Sequence, residues 1–83
     1  MKVLYFAWLK QKVGLAEEEV TLPDGVTDVT GLLDWLAARS PRHKEALARR
    51  SVVRVAVNQS YARLDHPVRQ EDEIALFPPV TGG

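Results

Sequence analysis

The sequence contains no cysteine, and this absence excludes several kinds of chemistry at once. Without thiols the chain cannot form a disulfide framework, a thiolate zinc site or a cysteine nucleophile. Its two histidines, His43 and His66, lie far apart and have no second ligand at a suitable spacing, so no metal site is expected. Any sulfur chemistry must therefore use sulfur that comes from outside the chain.

The sequence also has no excess of one charge and no long apolar run. Lysine plus arginine and aspartate plus glutamate number 11 each, so no positive field is available to attract a nucleic acid. Lys10 and Lys12 interrupt the apolar N-terminus, which lacks a cleavage site for a signal peptide. No stretch approaches the roughly 20 apolar residues that cross a bilayer, so we expect a cytoplasmic protein without a membrane partner.

Signatures of an internal active site are missing as well. The glycines are scattered rather than clustered in a phosphate-binding loop, so no nucleotide cofactor is expected to bind this chain. The serines are explained by turns and helix caps. The acidic runs 17–19 and 71–73 are interpreted as solvated edges or turns. The interior of the chain is predicted to carry no catalytic group.

The residues that are present predict one small folded domain. Hydrophobic residues form 46% of the 83 positions and charged residues 27%, which is typical of a globular chain. Apolar and β-branched patterns predict four strands and a short edge strand near Tyr61 and Leu64. The four strands span residues 2–8, 17–22, 51–58 and 73–77.

Two helices are predicted between the second and third strands. Thr27 is the expected N-cap of a helix whose leucines recur at helical spacing up to Leu36. Ser40 and Pro41 fit the N-cap and first position of a shorter helix over 41–50. This order of elements predicts an α+β fold in which a mixed sheet packs on one main helix.

The C-terminal stretch FPPVTGG is the most unusual feature. Pro78 and Pro79 lack backbone N–H groups and favour an extended chain, so we expect a domain over 1–77 and an extended, flexible tail over 78–83. Val80, Thr81 and Gly82 lead to the carboxylate of Gly83. That carboxylate needs activation, for example by adenylation, before a nucleophile can attack it. A frayed tail is the plain alternative.

Three large side chains, Trp8, Tyr61 and Phe77, fall at or near strand ends. Core packing is the simpler interpretation for each of them. If two or three are exposed together, they form a patch suited to a protein partner.

The sequence resembles, nearly end to end, the ubiquitin-like sulfur carriers that form the small subunits of molybdopterin synthases. Three segments carry the resemblance: KVLYFAWLKQKVG, AVNQSYARLDHPV and DEIALFPPVTGG. It implies a β-grasp fold and a Gly83 that an adenylyltransferase similar to ubiquitin-activating enzymes adenylates, with ATP and Mg bound by that partner. Gly83 would then become a thiocarboxylate and donate sulfur to a pterin precursor.

The resemblance also implies where partners bind. The large synthase subunit would supply the catalytic residues and form a heterotetramer with this chain, and Gly82 would enter its active site beside Gly83. Phe6, Tyr61 and Phe77 fall where the family places apolar partner contacts. Lys10 falls where an arginine is frequent, and lysine does not reproduce the planar fork of arginine.

Three other functions remain open from the sequence. A sulfur carrier for thiamin or transfer-RNA thiolation also ends in two glycines. A ubiquitin-like modifier would join Gly83 to a lysine of another protein. A β-grasp interaction module with an inert tail would share the fold, and the fold alone does not distinguish these functions.

Overall fold

The computed structural model describes residues 1–79, and Val80, Thr81, Gly82 and Gly83 lie outside the described residues. Five strands form one mixed sheet in the order β2-β1-β5-β3-β4. The elements in chain order are β1 (Lys2–Tyr5), α1 (Ala7–Val13), β2 (Glu17–Glu19), α2 (Val29–Ala37), α3 (Pro41–Ala46), a 3-10 turn (Arg50–Val52), β3 (Arg54–Val57), β4 (Ser60–Tyr61) and β5 (Glu73–Phe77).

The last strand lies at the centre of the sheet. β5 pairs in parallel with β1, so that Tyr5 is opposite Leu76, and it pairs antiparallel with β3, so that Arg54 is opposite Phe77. Its bounds are those predicted from the sequence. Because parallel strands end at the same edge, the C-terminal ends of β1 and β5 lie together.

The first strand is shorter than predicted, and this prediction was wrong beyond Tyr5. The residues after Phe6 form α1, whose Leu9 and Val13 are buried one helical turn apart. Ala7 has a φ of 54°, where the chain turns from strand to helix. Gly14 ends α1 with a φ of 87°, and its amide donates to the carbonyl of Lys10.

The main helix α2 is confirmed, but its N-cap is Asp28 rather than Thr27. A carboxylate oxygen of Asp28 accepts from the amide of Gly31 at 2.8 Å, which satisfies one of the free donors of the first turn. Ser40 caps α3 as predicted, because its hydroxyl accepts from the amide of His43 at 3.1 Å. That helix ends at Ala46, earlier than expected.

The third predicted strand begins later than expected, because residues 50–52 form the 3-10 turn. β3 and β4 form a tight hairpin in which Val57 is opposite Ser60. Asn58 and Gln59 both have positive φ, as in the two-residue turns that match the twist of antiparallel strands. Leu64 lies outside β4, so the short edge strand is confirmed only at Tyr61.

All helices pack on one face of the sheet. The core contains Val3, Leu9, Leu32, Leu33, Leu36, Leu47, Val55, Ile74 and Leu76. Trp8 is partly buried and packs against this core. Among residues 1–79, no helix covers the opposite face of the sheet. This face includes the side chains of Ala75 and Phe77, which alternate with the buried side chains along β5.

Candidate docking surface at the end of the central strand

The central strand ends in a half-buried aromatic residue that is followed by two prolines. Ile74 and Leu76 point into the core, and the side chain of Phe77 therefore lies on the open face of the sheet. Pro78 and Pro79 follow as irregular chain, and both are half-buried. With no N–H to donate, they do not extend the sheet ladder. The chain therefore leaves the sheet beside Phe77.

Tyr61 borders Phe77 from the neighbouring hairpin. The two ring centroids are 5.7 Å apart and the planes are tilted by 47°, within the usual range of aromatic pairs. The Tyr61 side chain is 79% exposed although it is large and mostly apolar. Together with Arg54, Val55 and Ala62, the two rings line an open groove of about 310 Å³.

Phe6 reaches the same edge from the other side of β5. It directly follows β1, and its amide donates to the carbonyl of Leu76 at 3.1 Å, one step beyond the paired strands. Its side chain is 48% exposed. The structure thus brings three of the predicted partner-binding residues, Phe6, Tyr61 and Phe77, to one end of the sheet.

Lys10, the fourth predicted partner-binding residue, lies further along the chain on α1 and is exposed. Its position near the C-terminal end of a helix favours a positive charge, because the helix dipole is negative there. Its role in binding stays a prediction.

The residues predicted to carry the chemistry are divided by the end of the described chain. Pro78 and Pro79 are described, and they lie at the exit from β5. Val80, Thr81, Gly82 and Gly83 fall outside the described residues. The predicted boundary between a domain over 1–77 and a tail over 78–83 also stays a prediction.

Sequence reasoning missed a buried polar network on the helical side of the sheet. The hydroxyl of Tyr5 donates to Oε2 of Glu18 at 2.6 Å, and Nε2 of His43 lies 2.7 Å from the same oxygen. Arg39 lies 3.4 Å from the other carboxylate oxygen. His43 is only 7% exposed, so the polar groups around it belong to the protein and not to solvent. Glu18 is likewise not a simple solvated edge residue.

The network accounts for the ionisation of its members. Burial by itself raises the pKa of Glu18, but hydrogen bonds from Tyr5 and His43 and the charge of Arg39 outweigh it and hold that pKa below its usual value. Burial, followed by the contact with Glu18, raises the pKa of Tyr5 well above its usual value. Because an ionised carboxylate only accepts, Nε2 of His43 carries the hydrogen in its contact.

The other arm of His43 completes the network. Nδ1 lies 2.7 Å from the hydroxyl of Ser40, which also caps α3. Throughout residues 1–79, every buried side-chain nitrogen or oxygen has a hydrogen-bond partner. The sequence separations of 13 and 25 residues from Glu18 hide this cluster from pattern analysis. The network joins the sheet to α3, and we interpret its role as structural.

Residues 1–79 contain neither a cluster of metal-ligating side chains nor a membrane-spanning helix. No group of three or more metal-ligating side chains of the His, Cys, Asp or Glu type occurs among residues 1–79. In the same range, the helices are too short and too polar for any of them to span a bilayer. A groove of about 430 Å³ beside Trp8, Lys12 and Arg49 lies between α1 and the residues that precede β3.

Comparison with known proteins gives the relation of this chain to others. The sequence pattern of the ThiS family matches residues 3–83. The chain belongs to the ThiS family. Relatives of the chain include proteins that are named sulfur carriers. The resemblance to ubiquitin-like sulfur carriers that was inferred from the sequence is therefore confirmed.

Two such relatives are named molybdopterin synthase sulfur carrier subunits. The protein of Escherichia coli is 41% identical over 83 residues, which cover 100% of this chain and 99% of the relative. The protein of Mycobacterium tuberculosis is 37% identical over 84 residues, with coverages of 100% and 96%. The likeness therefore extends over the whole of this chain and nearly the whole of each relative.

Solved structures show the same fold. A putative molybdopterin converting factor subunit 1 from Pyrococcus furiosus has a TM-score of 0.77 and 32% identity, with 95% of each chain covered. SAMP1 of Haloferax volcanii has a TM-score of 0.76 and 33% identity, with coverages of 100% and 98%. These matches confirm the predicted ubiquitin-like β-grasp fold for this ThiS-family chain.

A further solved structure contains a partner. It is a complex of subunits 1 and 2 of the molybdopterin-converting factor from Helicobacter pylori, with a TM-score of 0.62 and 26% identity. The match covers 99% of this chain and 96% of the other. A relative with this fold thus forms a complex with a second subunit.

Proposed function

We propose that this chain is the sulfur-carrier subunit of a molybdopterin synthase and that Gly83 carries the sulfur as a C-terminal thiocarboxylate. The supporting observation is the end of β5, where Phe77 lies between exposed Tyr61 and Phe6 and the chain continues through two prolines. This places the departing chain next to an apolar surface, so one partner can hold the surface and receive the tail. Membership of the ThiS family and the sulfur-carrier relatives support the same function.

The chemistry requires an activating partner. A carboxylate with a usual pKa near 3.5 is ionised at neutral pH and is a poor electrophile. An adenylyltransferase of the ubiquitin-activating type joins the carboxylate to AMP, using ATP and Mg that it binds itself, and pyrophosphate leaves. A sulfur donor then displaces AMP, and the terminal carboxylate becomes a thiocarboxylate. The terminal glycines offer no side chain to obstruct either step.

The second partner is the large synthase subunit. We propose that it binds the surface of Phe6, Tyr61 and Phe77 with a contribution from Lys10, and that it supplies the catalytic residues. Sulfur from Gly83 passes to a cyclic pterin precursor in its active site, and water supplies the oxygen that regenerates the carboxylate of Gly83. The chain acts in the cytoplasm, as the sequence predicts, and binds no cofactor of its own.

Reconstitution tests this proposal against other sulfur pathways. The thiocarboxylate form of the chain is mixed with the large synthase subunit and pterin precursor, and in parallel with a thiazole synthase and its substrates. Dithiolene product in the first mixture and no thiazole in the second is the expected result. Thiazole formation without dithiolene would overturn the assignment to molybdopterin synthesis.

A protein modifier is a second candidate, because SAMP1, whose structure matches this chain, belongs to proteins titled small archaeal modifier proteins. Such a function would end in an isopeptide bond between Gly83 and a lysine. Mass spectrometry of digested cell extract distinguishes it. After trypsin digestion, lysine residues that carry residues 70–83 of this chain, joined through Gly83, would favour the modifier, because Arg69 is the last basic residue before the C-terminus.

A further inference from the structure

A second groove continues the Phe77 and Tyr61 surface along the β3–β4 edge of the sheet. It has a volume of about 290 Å³ and shares Arg54, Val55 and Ala62 with the first groove. Arg63 and Leu64 also line this second groove. We call the residues Arg54, Ala62, Arg63 and Leu64 the cationic strip.

The two arginines of the strip have weak partners within the described chain. Arg54 donates to the carbonyl of Ser51 at 3.0 Å, and no ion pair joins it to a carboxylate among residues 1–79. Arg63 approaches Asp65 only to 3.8 Å, and its side chain is 92% exposed. Arg50, in the same groove, is already paired with Asp34 at 2.9 Å. Two guanidinium groups thus remain available to carboxylates from outside.

The apolar part of the strip is held on an ordered backbone. Leu64 is 55% exposed, yet its carbonyl accepts from both the amide and the hydroxyl of Thr30, at 3.0 and 2.9 Å. These two bonds fix the loop to the start of α2. A partner that binds there pays little conformational entropy to order Leu64. An exposed leucine on such a support adds apolar area that a partner can bury.

Charge is distributed unevenly between the two edges of the sheet, although the chain is neutral overall. The β2 edge carries Glu17, Glu18 and Glu19, whose charges are met within the chain by Lys2, Arg39 and the N-terminal amine. The β3–β4 side of the sheet carries Arg54 and Arg63. An acidic partner is therefore attracted to the β3–β4 side, where Arg54 has no carboxylate partner among residues 1–79 and Arg63 has only the 3.8 Å contact with Asp65. This orients an encounter so that the end of β5 faces the partner.

We propose that the cationic strip docks an acidic segment of a partner protein, with carboxylates on Arg54 and Arg63 and one apolar side chain on Leu64. The proposal rests on the proposed function in one respect, because the partner is the protein that receives the tail. A phosphate backbone is disfavoured, because the net charge is zero and Leu64 offers it nothing. The strip would add orientation to the affinity that the aromatic surface provides.

The first test uses the full chain labelled with ¹⁵N and two probe peptides of eight residues. One peptide alternates glutamate with valine, and the other alternates lysine with valine. We expect the glutamate peptide to shift the amide signals of Ala62, Arg63 and Leu64, and the lysine peptide to leave them unchanged. Shifts confined to another surface, or equal shifts with both peptides, would overturn the proposal.

Matched charge reversals sharpen this test. Arg63→Glu should weaken peptide binding about threefold to tenfold at low salt, since attraction is replaced by repulsion at an exposed site. Arg69→Glu makes the same charge change in the loop before β5, at an exposed position outside the strip, and should leave binding unchanged. The difference between the variants should largely vanish near 1 M salt. Equal weakening by both variants would contradict specific docking.

Two other occupants of the strip are outcomes of the same titration. A single-stranded oligonucleotide that shifts the strip signals more strongly than the glutamate peptide would show a nucleic-acid site and overturn the proposal. Strip signals that move with protein concentration in the absence of peptide would show self-association and would overturn it as well.

Leu64→Ala, with an otherwise unchanged amide spectrum, should weaken peptide binding independently of charge.

The second test uses the large synthase subunit and separates this proposal from the proposed function. If the wild-type chain does not bind that subunit, the proposed function fails, and the peptide titration alone decides the role of the strip. If the wild type binds, Arg63→Glu should associate several times more slowly than Arg69→Glu at low salt. Equal association rates for the two variants would overturn the docking proposal.

Discussion

The two faces of the sheet differ in how far their large side chains are exposed to solvent. On the helical face, Leu36, Ile74 and Leu76 are fully buried, and polar groups such as Glu18 and His43 find their partners within the chain. On the open face, the tilted rings of Tyr61 and Phe77 contact each other, and most of Tyr61 is exposed to solvent. The helical face thus contains the core of the fold, and the open face leaves large apolar rings exposed.

The largest expected effect concerns the chain terminus. One alanine added after Gly83, or deletion of Gly83, should abolish sulfur transfer, because the activated carboxylate would no longer be the one that the partners receive. The free energy of unfolding should stay within about 0.5 kcal/mol of the wild type, since residues at a chain end contribute little to a core. Transfer assays and urea denaturation measure the two quantities. Retained transfer in the extended chain would contradict terminal chemistry.

The next prediction compares a core leucine with an exposed one. Leu36→Ala should lower the free energy of unfolding by about 2–5 kcal/mol, because it leaves a cavity beneath the sheet. Leu64→Ala removes the same atoms from an exposed site and should cost at most about 0.5 kcal/mol. Urea denaturation of both variants checks the contrast. Equal losses would show that the strip is part of the core.

A third prediction concerns binding of a partner to the open face of the sheet. Phe77→Ala should weaken binding to the large synthase subunit by about 2 kcal/mol or more, as expected for an aromatic anchor. Leu15→Ala truncates an exposed leucine that precedes β2 at the other edge of the sheet, and it should change this affinity little. Calorimetric titration measures both affinities. The open-face account would be wrong if the two variants bound alike.

The smallest expected effect concerns the buried network. Glu18→Gln should lower the free energy of unfolding at pH 7 by about 1–3 kcal/mol, because Tyr5 and His43 lose a charged acceptor. Glu19→Gln, at an exposed position of the same strand, should have an effect of at most about 0.5 kcal/mol. The contribution of the network would be refuted by equal stabilities of the two variants.

The same pair of variants predicts a pH dependence. The pKa of Glu18 is lower in the folded than in the unfolded chain, so its contribution to stability is present above the unfolded carboxyl pKa of about 4.3. That contribution is lost as the pH falls through the lower folded pKa. As the pH falls below about 5, the free energy of unfolding should therefore decrease less for Glu18→Gln than for the wild type, because glutamine does not gain a proton.

Local patterns predicted much of the fold. The bounds of β5 follow from its alternation of apolar residues, and Ser40 with Pro41 marked the start of α3 because both act within one helical turn. The strand to Trp8 was wrong, since apolar residues occur at both parities there and suggested a buried strand. The spacing of Leu9 and Val13, with Gly14 after them, is the helical signal that was missed.

The candidate site divides in the same way. The prolines and glycines of FPPVTGG lie within one short segment, so the sequence alone suggested terminal chemistry. The grouping of Phe6, Tyr61 and Phe77 was inferred only from family resemblance, because the sheet order that joins them is a tertiary property. The contact of Tyr5, Glu18 and His43 and the continuation of the groove to Leu64 depend on packing between distant segments, and local patterns do not encode it.

One measurement tests the central claim that the chemistry occurs at the last residue of an otherwise inert fold. The chain is incubated with the adenylyltransferase, ATP, Mg and a sulfur source, and its intact mass and C-terminal peptide are then determined. We predict the gain of one oxygen-to-sulfur exchange, located on Gly83. An unchanged mass, or an exchange located on any other residue, would contradict the account.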